Sequence, residues 1–360
     1  MTIGNPLRYL DTPLRRVNAV VVVVALVFAV VYPSLVPPPM IGVGFVALLY
    51  ALRNFTWNIA GGYVGQLSLS HIVAFGTGAF SVAVLTWRHE VNAWVALVVG
   101  VLISAVIGFL ISLLMSRFGV NAFFLALGTL ALSLAAAGVA ASWTFLGDTN
   151  GISYSGTEEG FAHLQWYVDP SGFYYTTLGF LVVITAGTAA LMRFTHFGRS
   201  LPFIREDPVI AASMGIRVVR NQALAMALSM GLTSIAGTLI AQYVQIVSYE
   251  SVLTVEIGVA MMVGSIIGGA GTLAGPIVAG IGIAVLEEFL RSFSVSSANV
   301  SSYTQIAYAV VVILLLRFGT GGIMPLWEAG VRAVFGSGRK EKVPEAPEQP
   351  VGELVDGRVG

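Results

Sequence analysis

The sequence predicts an all-α polytopic membrane protein of about ten transmembrane helices (eight to ten), with Gly-broken segments and a short helix at the inner face. Three observations carry this expectation. Of 360 residues, 56% are hydrophobic and 10% charged, with a mean hydropathy of +0.86, whereas soluble domains carry about 25% charged residues. Ten apolar runs approach the roughly 20 residues needed to cross a bilayer core of about 30 Å. Five of the 18 basic residues (Arg193, Arg199, Arg205, Arg217, Arg220) crowd one stretch between two such runs.

The runs are, in order, 17–34, 40–59, 64–86, 93–115, 121–142, 173–192, 221–241, 256–269, 273–290 and 302–318. The first follows Arg8, Arg15 and Arg16 and is followed by Pro33 and Pro37–Pro39 rather than by a small-residue cleavage site. It reads as a first membrane helix and not as a removable leader. Gly and Pro interrupt the third, eighth and ninth runs, and the eighth is short. Eight crossings result if the third and eighth dip in and return.

Basic loops stay on the cytoplasmic side. With the amino terminus inside, ten crossings keep Arg117, the five-arginine loop and the tail residues Arg332, Arg339, Lys340, Lys342 and Arg358 inside. Only Arg88 and Arg291 fall outside. The exterior loop 143–172 has no Lys or Arg but holds Asp148, Glu158, Glu159 and Asp169, and the exterior turn 242–255 holds Glu250 alone. The division is therefore a cytoplasmic 1–16, a membrane domain 17–320 with an inner loop 193–220, and a cytoplasmic tail 321–360. From Gly336 that tail is polar, without apolar periodicity, and reads as disordered. Zero net charge implies no nucleic-acid partner, and the absence of cysteine excludes disulfides and thiolate metal sites.

Gly61–Phe80 (GGYVGQLSLSHIVAFGTGAF) places Gln66, Ser68, Ser70 and His71 inside an apolar run. Polar groups there are costly unless partnered, so they read as a pathway element or as interhelical glue. Gly264–Gly280 (GSIIGGAGTLAGPIVAG) contains two G-x-x-x-G pairs, Gly264/Gly268 and Gly271/Gly275. With Gly269 and Pro276 it reads as a tight turn between closely packed helices rather than a nucleotide fingerprint, because no βαβ context surrounds it. Gly65-Gln66-Leu67 can be laid on Gly271-Thr272-Leu273, one in each half, a pairing found around midplane transport sites. In the inner loop, Arg205-Glu206-Asp207-Pro208 opens a short amphipathic helix that Gly215 closes, with Ala211 and Ala212 exposed. It serves either as a lipid-facing surface helix or as a knob for a partner's groove. Arg53 and Arg317 are expected to snorkel to the inner interface, and Glu287 and Glu288 to lie at a solvated outer helix end. No P-loop, zinc spacing or nucleophile elbow is present, which argues against an enzyme.

Four stretches resemble the permease subunits of ABC importers for branched-chain amino acids, of the smaller sister-permease kind. They are Asn58 with Gly61–Phe80 (Ser70 standing where the family has Gly), Asp148–Ile152, Gly198–Ile216, and Gly268–Pro276. The resemblance implies that Arg199, Arg205, Glu206, Asp207, Ala211, Ala212 and Gly215 form a helix that couples to an ATPase, and that Gln66–His71 borders the pathway. It implies a sister permease, two cytosolic ATPase subunits and an extracytoplasmic solute-binding protein as partners in a prokaryotic inner membrane. ATP and Mg would be used by the ATPases, with no cofactor held by this chain. Urea and amide importers have closely similar permeases. An ion-coupled secondary transporter is the alternative from another class, and it would need buried carboxylates as coupling-ion ligands.

Overall fold

The computed structural model describes residues 13–119, 122–153, 159–166 and 169–292. The tenth run, Arg317, Glu158, residues 1–12 and the tail lie outside the described residues.

The elements are α1 (Pro13–Leu35), α2 (Pro38–Gly61), α3 (His71–His89), α4 (Ala93–Arg117), α5 (Ala122–Ser142), β1 (Ile152–Ser153), α6 (Ser171–Phe194), α7 (His196–Glu206), α8 (Pro208–Ser213), α9 (Val218–Val244), β2 (Ile246–Val247), α10 (Tyr249–Val252), α11 (Val255–Gly269) and α12 (Gly275–Ser292). Among the described residues, six spans are long and apolar enough to cross a membrane: α2, α4, α5, α6, α9 and the α10–α11 stretch. The fold is all-α and polytopic, as the composition demanded.

Burial sorts these helices. In their most apolar windows α2 is 67% and α9 72% buried, against 22% for α5 and 28% for α6, so α2 and α9 form the centre. α9 packs on α3, α4 and α2, and α12 and α11 pack on α2. The α3–α9 crossing is backbone to backbone. A Cβ at Gly78 would strike the Ser234 carbonyl, and one at Gly237 would strike the Phe75 carbonyl. α4 is apolar on every side, which suits a helix exposed to lipid on part of its circumference.

The third run is not one helix. α2 ends at Gly61, residues 62–70 are irregular, and α3 starts only at His71. Irregular backbone at membrane depth survives only where protein satisfies it. Here the Leu69 amide donates to Thr129 Oγ1 (3.0 Å), Ser133 Oγ donates to the Leu69 carbonyl (3.1 Å), and Trp57 Nε1 donates to the Ser68 carbonyl (2.8 Å).

At the end of the bundle opposite α7 and α8, the loop after α5 is pinned rather than free. β1 pairs antiparallel with β2, Ile152 opposite Val247. Gly151 (φ +72°) lets the strand turn in, since a Cβ there would lie 2.7 Å from the Val247 carbonyl oxygen. Asn92 Nδ2 and Trp94 Nε1 donate to the carbonyls of Ala162 (2.8 Å) and Phe161 (2.7 Å).

Two charge expectations need correction. Arg53 does not snorkel: it is only 5% exposed, with its guanidinium carbon 3.5 Å from the Tyr50 ring centroid. Burial within the bundle and the Tyr50 ring hold it short of the interface. Glu287 is half-buried rather than fully in water, and its carboxylate accepts a 2.6 Å hydrogen bond from Tyr50 Oη.

Candidate functional site: a junction of two helix breaks beneath the arginine-rich loop

The loop between α6 and α9 folds as two short helices, of which the sequence suggested only the second. α7 begins on Thr195, whose hydroxyl accepts from the Gly198 amide (2.9 Å). Gly198 sits against the end of α6, where any Cβ would meet the Leu191 carbonyl. α7 buries Leu201 and Ile204 with Tyr63, Val64, Ala211 and Ala225. Asp207 then breaks the helix and caps α8: its Oδ1 accepts from the amides of Val209 (2.7 Å) and Ile210 (3.0 Å). α8 ends in a left-handed glycine, Gly215 (φ +82°), beside bonds from the Gly215 amide to the Ala212 carbonyl (3.0 Å) and from the Ile216 amide to the Ala211 carbonyl (3.1 Å).

The exposed face of α8 is not the one expected. Ala212 is exposed, but Ala211 is buried against α7. The outward knob is built instead from Val209, Ile210 and Met214, which are 79%, 60% and 63% exposed. Arg199 and Glu206 are exposed on α7.

Arg205, also exposed, reaches across to the helix breaks. Its Nη1 donates to the Gly62 carbonyl (2.5 Å) and to the Ala270 carbonyl (3.0 Å). These carbonyls close α2 and α11 respectively, so a cation meets the negative ends of two helix dipoles. Asn58 ties the same two breaks together. Its Oδ1 accepts from the Gly271 amide (2.8 Å), and its Nδ2 donates to the Thr272 carbonyl (2.9 Å). Gly65 and Gly271, which the sequence aligns, share a left-handed backbone at φ +80° and +82°. Both face Arg205: a Cβ on Gly65 would lie 3.3 Å from its Cγ, and one on Gly271 would collide with its guanidinium.

The turn motif has a steric reason. Gly268 and Gly275 face each other across the α11–α12 turn, and a Cβ on either would enter the other's backbone; the Pro276 nitrogen lies 2.6 Å from that position at Gly268. Gly269 takes φ +118° and its carbonyl accepts from Thr272 Oγ1 (2.7 Å).

The polar residues of the first break are brought together and enclosed. Gln66 Nε2 donates to Ser112 Oγ of α4 (2.8 Å), Ser68 and Ser70 hydroxyls pair at 2.7 Å, and His71 Nε2 lies 2.7 Å from Ser229 Oγ of α9. Ser229 Oγ in turn donates to the Thr56 carbonyl of α2 (2.6 Å). Gln66 is 5% exposed and the other three are fully buried. Among the described residues no group of three or more His, Cys, Asp or Glu residues is placed to hold a metal ion.

A helical membrane bundle with two Gly breaks latched under a loop-borne knob is an architecture that suits a transport permease. The family of branched-chain amino acid transport system permease components matches residues 40–319, and the chain belongs to it. It is 24% identical over 340 residues to the high-affinity branched-chain amino acid transport system permease protein LivM of Salmonella typhimurium, covering 88% of this chain and 77% of that one. The LivM protein of Escherichia coli K12 is 25% identical over 343 residues, covering 89% and 78%. The probable branched-chain amino acid transport permease protein LivH of Methanocaldococcus jannaschii aligns over 160 residues at 25% identity, covering 44% of this chain and 49% of that one. No solved structure matches the chain.

Proposed function

We propose that this chain is the LivM-type half of an ATP-driven importer for branched-chain amino acids, working by alternating access beside a sister permease. The observation that carries the coupling half of this reading is the α7–α8 knob, whose back side grips both helix breaks through Arg205. Its apolar outer face, Val209, Ile210 and Met214, sits on a loop rich in arginine, so we assign it to the cytosolic side, against an ATPase subunit. Two ATPase subunits would use the ATP and Mg, and this chain would hold no cofactor. A solute-binding protein would deliver cargo at the opposite end, onto the loop that β1 and β2 pin. Rigid-body rocking then moves the breaks, because the latch carries displacement of α7–α8 directly to the ends of α2 and α11.

Gln66, Ser68, Ser70 and His71 are assigned to the pathway wall. Gln66 bonds Ser112 of α4, His71 bonds Ser229 of α9 and the two serines bond each other, so all four are bared only when those helices move. A family of branched-chain amino acid permeases favours neither a urea or amide importer nor an ion-coupled carrier.

The test uses the complete complex in proteoliposomes. Leucine, isoleucine and valine should compete for labelled-leucine uptake that needs ATP, and urea should not. Val209→Asp with Ile210→Asp should leave the permease in the membrane and lower uptake at least tenfold by detaching the ATPase. Normal uptake by that variant removes the docking assignment.

A further inference from the structure

Arg53, Tyr50 and Glu287 form a polar cluster inside the membrane that the junction described above does not use. Tyr50 and Arg53 lie one helical turn apart near the middle of α2, and Glu287 reaches them from α12. Tyr50 Oη donates to Glu287 Oε2 at 2.6 Å, and the Arg53 guanidinium carbon stands 3.5 Å from the Tyr50 ring centroid. Ionisable groups at this depth are expensive and mark solute or ion paths.

Unused hydrogen-bonding capacity sits beside them. Arg53 Nε and both side-chain atoms of Asn54 are buried without a hydrogen-bond partner. Arg53 is 5% and Asn54 1% exposed, while Tyr50 and Glu287 are half-buried and form the accessible edge. Buried polar atoms normally find partners, so orphans on two successive residues call for missing ones. The stripe Tyr50, Arg53, Asn54, Trp57 and Asn58 follows helical spacing along one face of α2, and it ends at the Asn58 latch.

We propose that this cluster is the solute-contact site for a zwitterion's charged head: Glu287 receives the α-ammonium group, and Arg53, with the Asn54 amide, receives the α-carboxylate. Tyr50 holds Glu287 between passages. The unpartnered N–H donors of Arg53 and Asn54 match a carboxylate, which offers several acceptor sites to a guanidinium and an amide together. Opposite charges on two helices recognise a zwitterion yet hold it only while α2 and α12 stay close, so a small shift of either helix releases it. The latch at the foot of the same α2 face links that shift to α7–α8. The proposal rests on the amino-acid import reading.

The test compares wild type with Arg53→Met/Glu287→Met in the complete complex, measuring membrane level and ATP-driven leucine uptake. A buried charge pair that only packs is often replaced by apolar residues without loss. A packing role therefore predicts uptake within twofold of wild type. A solute-contact role predicts at least a tenfold loss at equal membrane level. A second measurement covers poor insertion of that variant. Tyr50→Cys in the otherwise native, cysteine-free chain should react with a water-borne thiosulfonate in at least one nucleotide state, and leucine should slow that reaction at least threefold. Twofold-or-better uptake by the double variant, or no reaction at Tyr50→Cys in any state, or no leucine protection, overturns the site. Wild-type complex that moves no leucine overturns the import reading itself, and the site falls with it.

Discussion

At the level of single residues, Asn58 and Arg205 do what neither was expected to do alone. Asn58 is fully buried, and its amide closes a two-bond clamp on a turn 213 positions later. Nothing local announces such a partner. The sequence marked Asn58 only through its place in a familiar motif, and it offered Arg205 as one of several residues of a coupling helix. Asn58→Ala would leave the Gly271 amide and the Thr272 carbonyl without their partner. An unsatisfied buried group costs about 1–3 kcal/mol, so the loss should be about 2–4 kcal/mol. Thermal unfolding of the detergent-solubilised protein reads it, and an unchanged midpoint would show that the clamp contributes nothing. Arg53 was misjudged for a related reason. Its long stem suggests an escape to the interface, but only the packing of the helices around α2 decides whether the route is open.

Among the helices, the glycines that mattered most were partly hidden. The Gly268–Pro276 turn was readable because its glycines are close in sequence and their spacing lets backbones touch. Gly78 and Gly237 lie far apart, yet each seats against the other helix's backbone, and Thr238 Oγ1 donates to the Gly78 carbonyl at 3.1 Å. Gly237→Val should force α3 and α9 apart, which costs about 1–3 kcal/mol as overpacking. The drop is measurable as a lower denaturation midpoint in detergent, and a neutral result would mean that the crossing relaxes freely. α8 was legible because Asp-Pro at its start and Gly at its end are local signals. α7 was not, because Gly198 and Pro202 look like breakers. Here Gly198 instead allows contact with α6, and Pro202 sits inside the helix with its ring side exposed.

Across the whole molecule, the arrangement requires that α7–α8 and the β1–β2 loop lie on opposite sides of the membrane. Since the chain has no cysteine, single labels can test this. Asn150→Cys, on the exposed turn before β1, should react with an impermeant maleimide in intact cells. Ser213→Cys, at the end of α8, should react only after permeabilisation. The reverse pattern would invert the molecule and remove the ATPase-docking reading. The amino-acid sequence by itself determined the class, because too few charged side chains remain to face water, and it carries the expectation that the basic loop is cytoplasmic, because arginines resist translocation. It also located the two breaks, since glycine and buried polar residues are local marks. Only the tertiary structure decided that the breaks meet, that the exposed Arg205 bridges their carbonyls, and that Arg53 and Glu287 share one neighbourhood. Those facts depend on which helices are neighbours, and contacts between residues hundreds of positions apart leave no periodic trace in a single chain.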